Sequence, residues 1–89
     1  MNDIELHDNS LVDIVFNWAK AEVIFRLESN TGLRSLLFRN VSHLDLPRKL
    51  PWGESISVNS FAKLKEGVFH LEMQSGDLIV VSAKSFSIS

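Results

Sequence analysis

Residues His7-Asp8-Asn9-Ser10 place an imidazole, a carboxylate and a hydroxyl within four positions, the chemical ingredients of a hydrolytic triad. Close neighbours in one chain do not reach the nucleophile, base and orienter geometry that such chemistry needs, because triads are assembled from separate parts of a fold. The same residues fit a turn whose short polar side chains bond nearby amides at the entry to a first strand, and that reading is adopted. His43 and His70 complete the histidines, with Asp8, Asp45 and Glu72 as acids that a metal would also use. None has the helical HExxH spacing, and His43-x-Asp45 is a pair that any outward strand face carries, so no metal and no cofactor are expected. Gly32, Gly53, Gly67 and Gly76 are too widely spaced to cradle a phosphate. A second polar cluster, Gln74 to Asp77 in the stretch EMQSGDLIVV, stands between two apolar runs, and turn chemistry alone explains it. No catalytic residue is assigned, and the chain is expected not to be an enzyme.

Whatever these residues do, a small fold must position them. Eighty-nine residues make one domain, residues 1–89, with a modest core, and with zero cysteines neither a disulfide staple nor a thiolate zinc site nor a cysteine nucleophile is open to it. The first ten residues, MNDIELHDNS, are acidic rather than laid out as a signal peptide, and no apolar run approaches the roughly 18 residues of a membrane span. A soluble, cytoplasmic protein is the expectation. Charge is uneven: residues 1–30 carry six acids against two bases, and residues 31–65 carry six bases against two acids. The bases form no dense cluster, so basic strands lying beside acidic ones account for them.

From Val12 the apolar residues recur at every second position: Val12, Ile14, Phe16 and Trp18, then Ala21, Val23, Phe25 and Leu27. A period of two in β-branched and aromatic residues predicts half-buried strands. Opposed residues of an antiparallel pair share a face, so folding at Ala19-Lys20 sets Phe16 opposite Val23, Ile14 opposite Phe25, Val12 opposite Leu27, and Asp13 opposite Arg26 on the outer face. A second reversal at Asn30-Thr31-Gly32-Leu33 brings Leu36 to Leu27 and Phe38 to Phe25. The third strand is expected to run to about Leu46 and to stop at the proline- and glycine-bearing connection through Pro47, Pro51 and Gly53. Beyond it Ile56, Val58, Ala62 and Leu64 keep one parity, and a turn at Glu66-Gly67 opposes Leu64 to Phe69 and Ala62 to Leu71. Residues 59–66 also fit a capped helix ending at Gly67. Folding at Ser75-Gly76 matches Met73 with Leu78 and Leu71 with Val80, a face that Phe86 and Ile88 continue; a three-residue loop would break that match.

These segments predict an all-β fold, an antiparallel meander of six or seven strands forming a bent roll or small open barrel, because a sheet with one apolar face must close or double over. The halves would meet across Phe16, Phe25, Phe38, Leu71 and Val80. An oligonucleotide-binding barrel would show aromatics and bases on one exposed face, whereas most aromatics here have core parity, which speaks against nucleic acid as a partner.

Two features do not fit a plain core. Asn40, Ser42 and Ser60 fall on inward parity, and either they satisfy one another at a bulge or they line a small ligand pocket. On the opposite face Val15 lies across from Ile24, and the registers place Leu37 beside Arg26 and near Ile24, with Leu11 and Val41 farther along, flanked by Asp13, Arg26 and Arg39. A contiguous apolar strip with a charged rim marks a contact surface for a protein partner or a second copy, unless the sheet doubles over and hides it.

Leu6-His7-Asp8-x-Ser10, the hairpin aromatic of Asn17-Trp18, Pro51-Trp52-Gly53 and Glu72-Met73-Gln74-Ser75-Gly76-Asp77 together resemble a group of small uncharacterised bacterial all-β proteins, and the opening is loosely similar to some immunity proteins of toxin systems. The resemblance implies a bacterial, intracellular β domain and carries no catalytic residues. The functional expectation is a non-enzymatic protein-interaction module, immunity-like or self-associating. The alternative is a small-molecule-binding roll using Asn40, Ser42 and Ser60.

Overall fold

The computed structural model describes residues 6–47 and 56–89. Eight strands form two antiparallel four-stranded sheets: β1 (Ser10–Asn17), β2 (Glu22–Ser29), β3 (Gly32–Arg39) and β8 (Ser85–Ile88) lie in the order β1-β2-β3-β8, and β4 (His43–Asp45), β5 (Val58–Lys65), β6 (Val68–Met73) and β7 (Leu78–Ser82) in the order β4-β7-β6-β5. The all-β reading holds, and the sheets do not close into a barrel but face one another as a bent roll. Residues 59–66 are no helix: β5 covers them up to Lys65. The expected connection through Pro51 and Gly53 lies outside the described residues.

The count of strands exceeds six or seven because the expected long third strand is broken. β3 ends at Arg39, and Asn40 takes φ +57°, the left-handed region that asparagine tolerates better than most residues. The chain turns there from one sheet to the other, fixed by the Val41 amide donating to the Ala21 carbonyl (2.8 Å) and the Ser42 amide to that of Ser82 (2.8 Å). The return crossing lies beside it. After β7 the Ala83 amide donates to the Gly67 carbonyl (2.9 Å) and the Lys84 amide to that of Arg39 (3.1 Å), and β8 joins β3. At the far corner the Asp8 amide donates to the Val58 carbonyl and the Val58 amide to that of Asn9, both at 2.8 Å, with a bridge between Ser10 and Ser57. The sheets are thus joined by two crossings of the chain at one corner and by backbone hydrogen bonds at the other.

Register departs from the expected partners in four strand pairs. In the β1–β2 pair, Phe16 opposes Val23, Ile14 opposes Phe25 and Asp13 opposes Arg26 as expected, but Val12 is an extra bulged residue, so Leu11 rather than Val12 faces Leu27. The β2–β3 loop is only Asn30-Thr31, so Phe25 pairs with Leu36 and Val23 with Phe38, two residues from the expected partners but on the same face. In β5 the bulges at Asn59 and Leu64 move Phe61 inward, opposite Leu71, in place of Ala62, and leave Ile56 and Leu64 exposed. Between β6 and β7 the Met73 amide donates to the Asp77 carbonyl (2.9 Å), closing a loop of three residues, Gln74 to Gly76. Leu71 therefore faces Ile79 rather than Val80, and Ile79 and Val81 are the buried residues of β7.

The core lies between the sheets. Val23, Phe25, Leu27, Leu36 and Phe38 come from the first sheet and Val58, Phe61, Phe69, Leu71, Met73, Ile79 and Val81 from the second, with Leu6 and Ala83 at the crossings. Phe38 is its centre, with Phe25 edge-on at 5.5 Å, Phe69 at 5.2 Å, Phe61 at 6.1 Å and Phe86 at 6.2 Å between ring centroids. Phe16 has the right parity but lies at the exposed end of the β1–β2 hairpin, and Val80 is only half-buried.

Candidate functional site

The outer face of the first sheet follows directly from the alternation of β1, β2 and β3. With Phe25 and Phe38 turned inward, Val15, Ile24 and Leu37 turn outward, and the register sets Val15 opposite Ile24 and Ile24 opposite Leu37 in one cross-strand row. Ser87 of β8 continues it. Val15 is well exposed and Ile24 and Leu37 half so. The doubled sheet hides its inner face, and the strip stays outside.

Charged groups bound the row on both sides. On one, the Arg26 guanidinium forms a two-pronged pair with Asp13, Nε donating to Oδ1 at 2.7 Å and Nη2 to Oδ2. The hydrogen bonds from Arg26 hold the Asp13 carboxyl below its ordinary value, more strongly than slight desolvation raises it, and Arg26 is held above its own. On the other side Arg39 Nη1 donates to Ser87 Oγ (3.3 Å). Val15, Ile24, Leu37, Arg26 and Arg39 thus share this face, but Leu37 stands opposite Ile24, and Ser35 takes the expected place of Leu37 beside Arg26. Leu11 and Val41 do not belong: the Val12 bulge turns Leu11 inward, the bend at Asn40 does the same for Val41, and both pack against the core.

The proposed polar pocket is not assembled. Ser42 adjoins β4 and Ser60 lies on β5, at opposite edges of the second sheet, while Asn40 sits at the crossing; all three are exposed. Ser60 Oγ donates to Glu72 Oε1 at 3.4 Å, beside Asn59 Nδ2 at 3.1 Å.

The turn at Leu6–Asn9, closed by the Asn9 amide donating to the Leu6 carbonyl (3.0 Å) with Asp8 at φ +68°, replaces any triad. His7 Nδ1 donates to the Asn59 carbonyl (2.9 Å) and its Nε2 lies 3.5 Å from Asp8 Oδ1, while Ser10 opens β1 opposite Glu28. Gln74 binds this turn from the β6–β7 loop, its amide donating to the Ser57 carbonyl (2.8 Å) and its Nε2 to Asp8 Oδ1 (2.5 Å) and the Val58 carbonyl (3.2 Å). The two polar clusters singled out in the sequence therefore clip the N-terminal turn to β5. Among the described residues no three His, Asp or Glu side chains gather as metal ligands, and no helix is long and apolar enough to cross a membrane.

Parity alone missed two features. One is an apolar cleft of about 400 Å³ between β1 and the second sheet, with Leu11, Ile14, Ile56, Met73 and Ile79 in its walls together with Asp13 and Asp77. The other is the outer edge of β1. Beyond the Ser10–Ser57 bridge no described strand pairs with it, and Val12, Val15 and Phe16 stand exposed along it, with Trp18 exposed in the turn that follows. Its signal is present in LVDIVFNW, whose apolar residues occupy both parities with no lysine or proline among them. Comparison with family models, with curated proteins and with solved structures gives no match to this chain.

Proposed function

We propose that this domain is a non-enzymatic protein-interaction module, immunity-like or self-associating, whose contact surface is the outer face of the first sheet. The observation that carries the reading is the unbroken row Val15–Ile24–Leu37 between the Asp13–Arg26 pair and Arg39. An apolar centre that excludes water, with charges at its margin to set orientation, is the layout of a protein contact. The similarity of the opening residues to those of some toxin-system immunity proteins agrees with a role exercised by contact, and a bacterial cytoplasmic setting is part of the proposal. The test is Ile24→Glu. Because Ile24 faces outward, the variant stays folded at a cost of about 1 kcal/mol from lost strand preference, and it no longer retains a protein partner or shows association in sedimentation. A wild-type chain that is monomeric at high concentration and captures nothing, together with an unfolded Ile24→Glu chain, removes the reading.

The apolar cleft supports a second reading as a small-molecule binder, relocated from Asn40, Ser42 and Ser60 to the space between β1 and the second sheet. Its volume is at the small end of the range that holds ligands. A metabolite screen in which no compound raises Tm counts against it.

A further inference from the structure

Among the described residues each sheet has two edges, and three of the four are blunted. β4 has three residues and β8 four, too short to template a partner, and β5 carries bulges at Asn59 and Leu64 with Lys63 and Lys65 exposed. Short edges, bulges and lysines are the devices by which sheet proteins prevent edge-to-edge pairing. β1 has eight residues, no lysine and no proline, and its only charge, Asp13, is occupied by Arg26. Its single bulge lies at Val12, so Asp13 to Asn17 run regularly. Along this edge Val12 is 55% exposed, Val15 49% and Phe16 41%, and Trp18 in the turn just beyond it 87%.

We infer that β1 pairs antiparallel with β1 of a second copy about a two-fold axis at Val15, joining two four-stranded sheets into one of eight. The inference rests on the interaction reading and names its partner. Register follows from the side chains. Centred on Val15, the pairing sets Val15 against the partner's Val15, Ile14 against the partner's Phe16, and Asp13 against the partner's Asn17, so no like charges meet. It also carries Trp18 toward the partner's Val12, bringing together the two most exposed apolar side chains of the segment. Centred two positions' sum away, on Ile14 or on Phe16, the pairing would instead oppose Val15 to the partner's Asp13 or Asn17. Antiparallel partners share a face, so the outer row becomes Leu37–Ile24–Val15 followed by the partner's Val15–Ile24–Leu37, a single apolar stripe twice as long. With aromatic side chains of up to about 250 Å² each, the exposed parts of this edge can bury at most about 800 Å² in the pair. That is the weak end of specific association, so the dimer dissociates on dilution.

The chain lacks cysteine, so one introduced thiol reports only on a second copy. Two residues facing across an antiparallel pair have Cα atoms about 4.5–5.5 Å apart, within the reach of a disulfide. In the proposed register Val15 meets its own counterpart, whereas two Asn17 residues are displaced by four positions, about 13 Å. Under mild oxidation at high protein concentration, Val15→Cys should form a covalent dimer at least about ten-fold faster than Asn17→Cys or Leu33→Cys, Leu33 being an exposed residue of β3 away from the edge. In parallel, wild type should show concentration-dependent dimerisation in sedimentation that Val15→Lys abolishes with its far-UV spectrum unchanged. Equal rates for Val15→Cys and Leu33→Cys, or a faster Asn17→Cys, overturn the inference. So does an Ile24→Glu variant that loses a different partner while Val15→Cys stays uncrosslinked, a result that sinks the self-pairing and leaves the interaction reading standing.

Discussion

Truncating Phe38 to alanine tests the packing that holds the two sheets together. Its ring is 1% exposed and meets Phe25 and Phe86 from its own sheet and Phe61 and Phe69 from the other. Buried phenylalanine to alanine changes cost about 3–5 kcal/mol, the larger values arising where neighbours cannot fill the space. Here they cannot. Phe69 and Phe61 are each held against Phe86, at 5.0 and 5.5 Å, and Phe61 stacks on Phe69 at 6.2 Å, so moving one ring into the void breaks another contact. A loss of about 4–5 kcal/mol is therefore expected, against a total of about 4–13 kcal/mol for a domain of this length at typical stability per residue. Over the lower part of that range Phe38→Ala does not fold at 25 °C, so Phe38→Leu is the quantitative partner. It keeps most of the volume and loses the ring-edge interactions, about 1–2 kcal/mol. Urea unfolding followed by far-UV circular dichroism gives both values if the slope with denaturant is unchanged. A loss under about 2 kcal/mol for Phe38→Ala, or an equal loss for Phe16→Ala at the exposed hairpin end, refutes the argument.

The Asp13–Arg26 pair has a signed pH dependence. Because Arg26 lowers the folded-state pKa of Asp13 from its ordinary 3.8, the pair stabilises the fold above that pH and ceases to do so as pH falls through the lowered value. The Tm difference between wild type and Asp13→Asn should be constant from neutrality down to about pH 4, shrink below it, and be small throughout and smaller still in added salt, since both groups face solvent. A difference that widens on acidification contradicts this. Ala21 stands at φ +54° with its carbonyl bound by Val41, so Ala21→Gly should relieve about 1–2 kcal/mol of left-handed strain against about 0.4–1 kcal/mol of added unfolded-state freedom. The net gain of about 0.5 kcal/mol should raise Tm by about 2–4 °C, and a fall would refute left-handed strain at Ala21.

Alternation made the first sheet readable. Val23, Phe25 and Leu27 announce the inner face of β2, and with the hairpin at Ala19-Lys20 they fix the partners of Ile14 and Phe16 and the Asp13–Arg26 pair. The outer row of Val15, Ile24 and Leu37 came with it, because a slip of two residues in the β2–β3 register leaves every side chain on its face. The second sheet was less legible because single extra residues reverse parity. Asn59 and Leu64 in β5 and the three-residue loop at Gln74 to Gly76 each do so, which is why Phe61, Ile79 and Val81 hold the places expected for Ala62, Leu78 and Val80. Nothing in the type of Asn59 or Leu64 announces a bulge. Asn40 did carry a signal, being a residue that accepts positive φ, but inside an apolar run it was outweighed by Leu36, Phe38 and Leu44 on the same parity. The open β1 edge depends on which strands end as neighbours, and that is decided by pairings between distant segments.

The pairing of β3 with β8 bears on the order in which the molecule is made. Leu36 to Arg39 complete their outer ladder only with Ile88 to Ser85, some fifty residues later. During synthesis β1, β2 and β3 can form their local hairpins early, yet the inner face bearing Phe25 and Phe38 has no cover until β5 to β7 have emerged. The sheet then has two open sides, at β1 and at β3, until residues 85–88 follow. On a polysome, where nascent chains of the same protein are held close, this interval is when strands of different copies meet, and β8 determines how long it lasts.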